Sequence, residues 1–261
     1  MAALMTSSID GLFTLAGKIA VLTGGASGIG AGIVTVLAEA GAAVVIADRD
    51  RDGAVSHAAT LTRAGHQATV AAVDVAAETS VVAACKHIVS DVGVPWLLVN
   101  NAALQDREPL LEATTSEWDR INAVNARGTF LMIRELARPM VAAGQGGRIV
   151  NIASNVLRGG IITGLAAYAA SKGSVVALSQ ASAFELAEHN ITVNTVLPGA
   201  VITPGAINAK GPLSEGPATR KTPFGFQEPR EIGAAVLFFA SVAARPITNQ
   251  VLAVDSGFSI A

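Results

Sequence analysis

The chain has 261 residues, of which 51 % are hydrophobic, and carries a net charge of −2. That is enough apolar material for one large core, and no linker or repeat interrupts it, so a single domain over residues 1–261 is expected. The near-neutral charge and the lack of a basic run give no electrostatic footprint for nucleic acid. Cys85 is the only cysteine, which excludes an internal disulfide, and His57, His66, His87 and His189 show no metal-ligand spacing. A cytoplasmic, metal-free protein that acts on a small molecule is the expectation.

Residues 1–12 lack the basic flank and apolar run of a secretion signal and read as a loose tail. Lys18–Thr23 then reads as a short buried strand that runs into Gly24-Gly25-Ala26-Ser27-Gly28-Ile29-Gly30, followed by a helical pattern with Ile33, Val34, Val36, Leu37 and Ala40 on its apolar positions. Strand, glycine turn and helix N-terminus together offer free backbone N–H groups and the positive end of a helix dipole to a pyrophosphate. Gly24, Ser27, Gly28, Ile29 and Gly30 are therefore candidate cofactor-binding residues. Their spacing is a variant, with a longer first turn, of the G-x-G-x-x-G dinucleotide fingerprint.

From Ile19 to Ala47 the only charge is Glu39, an interval long enough to imitate a membrane helix. Its glycines argue against that, because two buried parallel strands around an amphipathic helix give the same hydropathy. No membrane association is expected. The second strand, Ala43–Ala47, ends at Asp48, 18 residues beyond Gly30, where an acid can bind ribose hydroxyls. A carboxylate there accepts from a 2′-OH and repels a 2′-phosphate, which favours NAD over NADP; the adjacent Arg49 leaves NADP open.

Further strands are expected at 68–73, 96–100, 148–152, 191–197 and 250–254, separated by helical patterns. Alternation of this kind predicts an α/β fold: a Rossmann-like, doubly wound, parallel seven-stranded sheet with helices on both faces. Its ligand would lie beyond the carboxyl ends of the strands, where the strand order reverses. In the helical pattern after the fifth strand, Tyr168 and Lys172 stand four residues apart, which sets a phenol beside an ammonium. A nearby cation favours the phenolate, so Tyr168 is a candidate proton-transfer group. Asn125 is an intrinsically disfavoured polar residue inside an otherwise apolar helix, which suggests a specific role.

Thr23-Gly24-xxx-Gly28-x-Gly30, Asn100-Asn101-Ala102, Asn125, Ser154, Tyr168-xxx-Lys172 and Pro198-Gly199-xxx-Thr203 occur in this order. Together they resemble the short-chain dehydrogenase/reductase family from about Lys18 to the C-terminus. The resemblance implies an NAD(P)-dependent oxidoreductase that interconverts a secondary alcohol and a ketone. Ser154 would hold the substrate oxygen, and Tyr168 would be the general acid/base. Lys172 would lower the Tyr168 pKa and bind the nicotinamide ribose, and Asn125 would hold a water in a proton relay from Lys172 to solvent. Asp74 and Val75 would hold the adenine, Asn101 would lie near the nicotinamide ribose, and Pro198, Gly199, Val201 and Thr203 would anchor the carboxamide end. Family members usually form homotetramers through the long helices after the fourth and fifth strands and through the C-terminal strand.

Three departures from the family pattern stand out. Ala103 replaces a usual glycine, with a narrower turn near the nicotinamide ribose as the expected result. Ser154 and Tyr168 are 14 residues apart, one more than is common, and the segment 203–229 reads as a mobile substrate lid without the usual helical pattern. Leu104, Gln105, Asn155, Val156, Ile162, Leu165 and 200–207 are the expected pocket walls, and Arg158 reads as a surface residue. These walls leave open either a hydrophobic alcohol or a polyol, sugar or hydroxy acid. The alternative function is a nucleotide-sensing or scaffold protein on the same fold, which has no need of Ser154, Tyr168, Lys172 and Asn125 together; an epimerase or dehydratase would carry a different glycine spacing.

Overall fold

The computed structural model describes residues 8–204, 211 and 222–260. Seven strands form one sheet in the order β3-β2-β1-β4-β5-β6-β7: β1 Ile19–Thr23, β2 Ala43–Asp48, β3 Ala68–Ala72, β4 Leu97–Asn100, β5 Gly147–Ile152, β6 Ile191–Pro198 and β7 Val251–Val254. Every neighbouring pair is parallel. The expected strands are thus present within a residue or two of their predicted ends. Their Val/Ile/Leu runs are buried because helices cover both faces.

The helices are α1 Ile9–Phe13, α2 Gly28–Glu39, α3 Arg51–Arg63, α4 Glu78–Asp91, α5 Thr115–Asn122, α6 Gly128–Ala143, α7 Ala166–Leu186 and α8 Pro229–Ala240. One apolar layer packs Ile33 and Leu37 of α2 and Ile232, Val236 and Phe239 of α8 onto Leu22, Ile46, Leu97 and Val150. The other packs Val81 and Ile88 of α4 and Leu131, Leu136 and Met140 of α6 onto Val21, Val45, Leu98 and Ile149. Alternate residues of each strand thus face opposite layers, as the pleat requires.

The N-terminal segment is more ordered than a loose tail at its described end. Ser8 caps α1 by accepting from Gly11 N at 3.2 Å, and buried Leu15 donates its N–H to Ala40 O at 2.7 Å. A capped turn followed by a buried leucine outweighs the entropy of a free end. No helix among the described residues is long and apolar enough to cross a membrane.

β1 leads by way of β2 to β3 on one side, whereas β4 leads outward to β7 on the other. The reversal lies between β1 and β4, and the strands' carboxyl ends there leave a crevice.

Candidate active site

That crevice is a cavity of about 650 Å³ that runs from Asp48 and Asp74 past the glycine turn to Ser154 and Tyr168. Its left half is a main-chain cradle. Gly24 adopts φ +71°, and a Cβ on it would meet Ala102 Cα at 2.9 Å; a Cβ on Gly30 would meet Gly24 O at 1.9 Å. Only glycine allows this turn and this approach of α2 to the sheet. Ser27 caps α2 without a side-chain hydrogen bond, and no acidic residue lies in the helix's first turn. The N–H groups of that turn are therefore open to an anion, and the cradle fits a dinucleotide pyrophosphate. Thr203 stands beside it, its Cβ 3.3 Å from where one on Gly28 would be.

Asp48, at the end of β2, ties the turn to the sheet. Its Oδ2 accepts from Ala26 N and its Oδ1 from Asp50 N, both at 2.9 Å. The exposed Asp74 accepts from Ala76 N at 2.9 Å, and Val75 is buried against Gly128. Asn101 spends both amide donors on Thr23 O and Gly24 O, at 3.1 and 3.0 Å, so its side chain shapes the cradle from behind. Ala103 has no positive φ, and the turn after β4 thus loses nothing by lacking a glycine there.

The right half is built from buried side chains. Ser154 leaves β5 in extended conformation and caps a 3₁₀ turn over Asn155–Arg158, its Oγ accepting from Val156 N at 3.2 Å. That turn ends at the left-handed Gly159, within the loop between Ser154 and Tyr168. Tyr168, on the first turn of α7, hydrogen-bonds with Ser154, and Lys172 Nζ lies 5.7 Å from the Tyr168 ring centroid. Lys172 Nζ donates to Ile152 O at 2.8 Å.

Burial decides both charges. It holds the Tyr168 phenol above its ordinary value, and the Ser154 hydrogen bond draws it only part of the way back. The net direction for Tyr168 is thus upward rather than the depression expected from Lys172, because desolvation is the larger effect; burial likewise lowers Lys172, to about 8.

Asn125 is 1 % exposed and lies in a π-helical turn, Ala123–Arg127, between α5 and α6. Its Oδ1 accepts from Leu104 N at 2.8 Å, while its Nδ2 donates to Leu104 O and Ser171 Oγ, both at 2.9 Å. The main-chain carbonyl accepts from Thr129 Oγ1 at 2.7 Å. Ser171 Oγ in turn donates to Tyr168 O at 2.7 Å. Asn125 thus fixes the loop after β4 and the first turn of α7 at once.

On the far side, Pro198 ends β6, and Gly199 N donates to both Gln227 Oε1 and Val254 O at 2.9 Å. Val201 is buried and bridges to Gln227. Residues 205–210 and 212–221 of the expected lid lie outside the described residues. Among the described residues no cluster of His, Cys, Asp or Glu has the makings of a metal site.

A family model described as enoyl-(acyl carrier protein) reductase matches residues 24–259. The chain is 39 % identical over 258 residues to a D-threitol dehydrogenase of Mycolicibacterium smegmatis, with 97 % of each covered. It is 35 % identical to a 5-keto-D-gluconate 5-reductase of Escherichia coli, over 97 % of this chain and 100 % of that one. A gluconate 5-dehydrogenase structure from Burkholderia cenocepacia, in complex with NADP and tartrate, superposes with a TM-score of 0.89 at 34 % identity, covering 97 % of this chain and 100 % of that chain. The chain belongs to the short-chain dehydrogenase/reductase family. It is an oxidoreductase of the alcohol dehydrogenase/carbonyl reductase kind, acting on CH–OH groups with a nicotinamide cofactor.

Of the pocket walls expected for this short-chain dehydrogenase/reductase, Leu104, Gln105, Asn155, Val156 and Leu165 line the cavity, while Ile162 packs behind Val156, Leu165 and Tyr168. Arg158 is exposed. Four contributors were not expected from sequence. His57 Nδ1 donates to Gly25 O at 3.0 Å and braces the turn from α3. Ser171 and Gln227 are buried connectors, and Arg120 lines the cavity paired with Asp106 and Glu117. Ser171, within Tyr168-Ala169-Ala170-Ser171-Lys172, was the most accessible of these, since residues three apart on a helix share a face.

Proposed function

We propose that the chain interconverts a secondary alcohol and a ketone at a carbon held between Ser154 and Tyr168, with NAD as the favoured cofactor. The observation that carries this is the hydrogen-bonded Ser154–Tyr168 pair at the buried wall of the cavity, with Lys172 Nζ 5.7 Å from the phenol ring. A bound nicotinamide supplies or accepts the hydride. Ser154 Oγ holds the substrate oxygen, and Tyr168 gives or takes its proton. Lys172 is fixed by Ile152 O and keeps further ammonium hydrogens for a ribose. Asn125 positions Tyr168 through Ser171, and since its side-chain amide is fully engaged, a relay water would have to be met by its main-chain carbonyl.

Gly24, Ser27, Gly28, Ile29 and Gly30 receive the pyrophosphate. Asp48 faces the adenosine ribose, Asp74 and Val75 the adenine, and Pro198, Gly199, Val201 and Thr203 the carboxamide. Asn101 contributes by holding the turn. The preference for NAD rests on the Asp48 carboxylate, whose charge opposes a 2′-phosphate.

A cytoplasmic homotetramer is the assembly we favour. Phe130 on α6 and Phe184 on α7 are 43 % and 86 % exposed, and the edge strand β7 exposes Val251 and Leu252, apolar surface that a monomer seldom leaves bare.

The test is nicotinamide absorbance with NAD⁺ and NADP⁺ separately, on pooled secondary alcohols, for the wild-type protein and Tyr168→Phe. The expected outcome is faster turnover with NAD⁺, a loss of about 10²–10⁴-fold in the variant, and NADH affinity that stays within a few-fold. Equal loss of turnover and NADH binding would contradict the role given to Tyr168. Full activity of the variant would revive the nucleotide-sensing alternative.

A further inference from the structure

Two amide side chains of the cavity have no task in the chemistry above. Asn155, directly after Ser154, is 9 % exposed. Its amide lies against Gly160, where a Cβ would come within 2.7 Å of Oδ1, while its main-chain carbonyl accepts from Gly159 N and, at 3.1 Å, from Gly160 N. Gln105, half-buried on the loop after β4, lines the same cavity. No side-chain hydrogen bond joins either amide to a described residue, and neither is among the fully buried unpartnered groups, so both amides are open to the cavity itself.

A primary amide offers two donors and an acceptor, and a buried polar group left unpaired is costly. In an unfilled cavity water can meet that need. A substrate that fills the cavity expels the water and must replace its hydrogen bonds. Leu104, Val156 and Leu165 provide only apolar contact in the same space. A substrate with hydroxyls beside the reacting carbon satisfies the amides, whereas a plain hydrocarbon alcohol leaves them dry.

We propose that Asn155, assisted by Gln105, selects polyhydroxylated secondary alcohols and their ketones over monohydric ones by hydrogen-bonding a hydroxyl next to the carbon that reacts. This rests on the reading of Ser154 and Tyr168 given above. A site built to hydrogen-bond a hydroxyl discriminates strongly against the analogue that lacks it, while a hydrophobic pocket discriminates weakly.

The experiment compares kcat/KM for threitol, xylitol and sorbitol with that for 2-butanol, 2-pentanol and 2-hexanol, in the wild-type protein, Asn155→Leu, Asn155→Ser and Gln105→Leu. Thermal melting and NADH binding accompany each variant. The wild-type protein should favour at least one polyol over its carbon-matched alcohol by about 100-fold or more. Asn155→Leu should reduce that ratio at least ~10-fold, Gln105→Leu should reduce it less, and Asn155→Ser should retain part of it. If Asn155→Leu does not fold, the Ser and Gln105 variants carry the test. A ratio unchanged in every folded variant overturns the inference, as does a wild-type preference for the monohydric series. NADH binding without turnover of any of the six defeats the catalytic reading itself, and is distinguished by the missing baseline rate.

Discussion

The cradle beneath β1 and β2 is made of main chain and of side chains that are missing, whereas the wall carried by β5 and α7 is made of side chains packed to near-complete burial. In the cradle the decisive atoms are backbone N–H groups, and each glycine acts by what it lacks. On the wall, Ser154, Tyr168 and Lys172 act by what they carry, and burial sets their chemistry. A cradle of this kind fails by steric intrusion, and a wall of this kind fails by loss of a single functional group.

The largest break is expected in the cradle. Gly30→Ala puts a methyl 1.9 Å from Gly24 O and 2.6 Å from Asn101 Nδ2, and the backbone oxygen cannot swing aside as a flexible side chain would. NADH affinity measured by fluorescence should fall at least ~100-fold, with about 1–3 kcal/mol of stability lost to overpacking. A variant that binds NADH normally would mean that the turn relaxes and that the cradle is softer than its close contacts indicate.

The wall should respond differently. Lys172→Met should remove about 10²-fold or more of turnover while leaving a folded protein. Its effect on stability depends on pH. Because folding lowers Lys172 from 10.5 to about 8, the native state binds fewer protons than the unfolded chain between those values. Wild-type stability contributed by this group therefore rises as pH climbs through that window, by up to about 3 kcal/mol, and the variant lacks the rise. Chemical denaturation of both proteins between pH 8 and 10 measures it. Parallel pH curves would mean that Lys172 is better solvated than its burial indicates.

The smallest effect sharpens the distinction between glycines that are required and one that is merely customary. Ala103→Gly should cost about 0.4–1 kcal/mol through unfolded-state entropy and should bring no gain in NADH affinity, since Ala103 adopts an ordinary negative φ. A gain in affinity would restore the narrowed turn that the sequence suggested.

How legible each half was follows from the same contrast. Gly24, Gly28 and Gly30 announce the cradle because the constraint is local: turn, approach and helix start fall within seven residues. The seven strands were legible for a similar reason, as short β-branched runs between turn signals. The wall gave up its named residues, Ser154, Tyr168 and Lys172, but not their electrostatics. The depression of Tyr168 by Lys172 was argued from spacing, and the desolvation that opposes it depends on Val156, Leu165 and the sheet beneath, which spacing does not reveal. Asn101 was read as a cofactor residue and does line the cavity, but that its amide nitrogen holds Thr23 O and Gly24 O, 78 and 77 positions away, was not legible. His57, Gln227 and Arg120 were missed for the same reason, since each gains its place only through tertiary contact. The short helix at Ile9–Phe13 was not legible either, because a five-residue helix with a serine cap carries too little periodicity to register.

The π turn at Ala123–Arg127 has a consequence for how this chain can vary. A turn of that kind holds one residue more than the helix around it, so α6 begins about 100° out of phase with α5. Deleting any one of the four residues other than Asn125 would rewind the segment into plain α-helix and rotate Asn125 away from Leu104 and Ser171. The interval can exchange residues at its exposed positions, but its length is fixed, and an insertion once accepted there becomes a part of the catalytic frame that later change cannot trim.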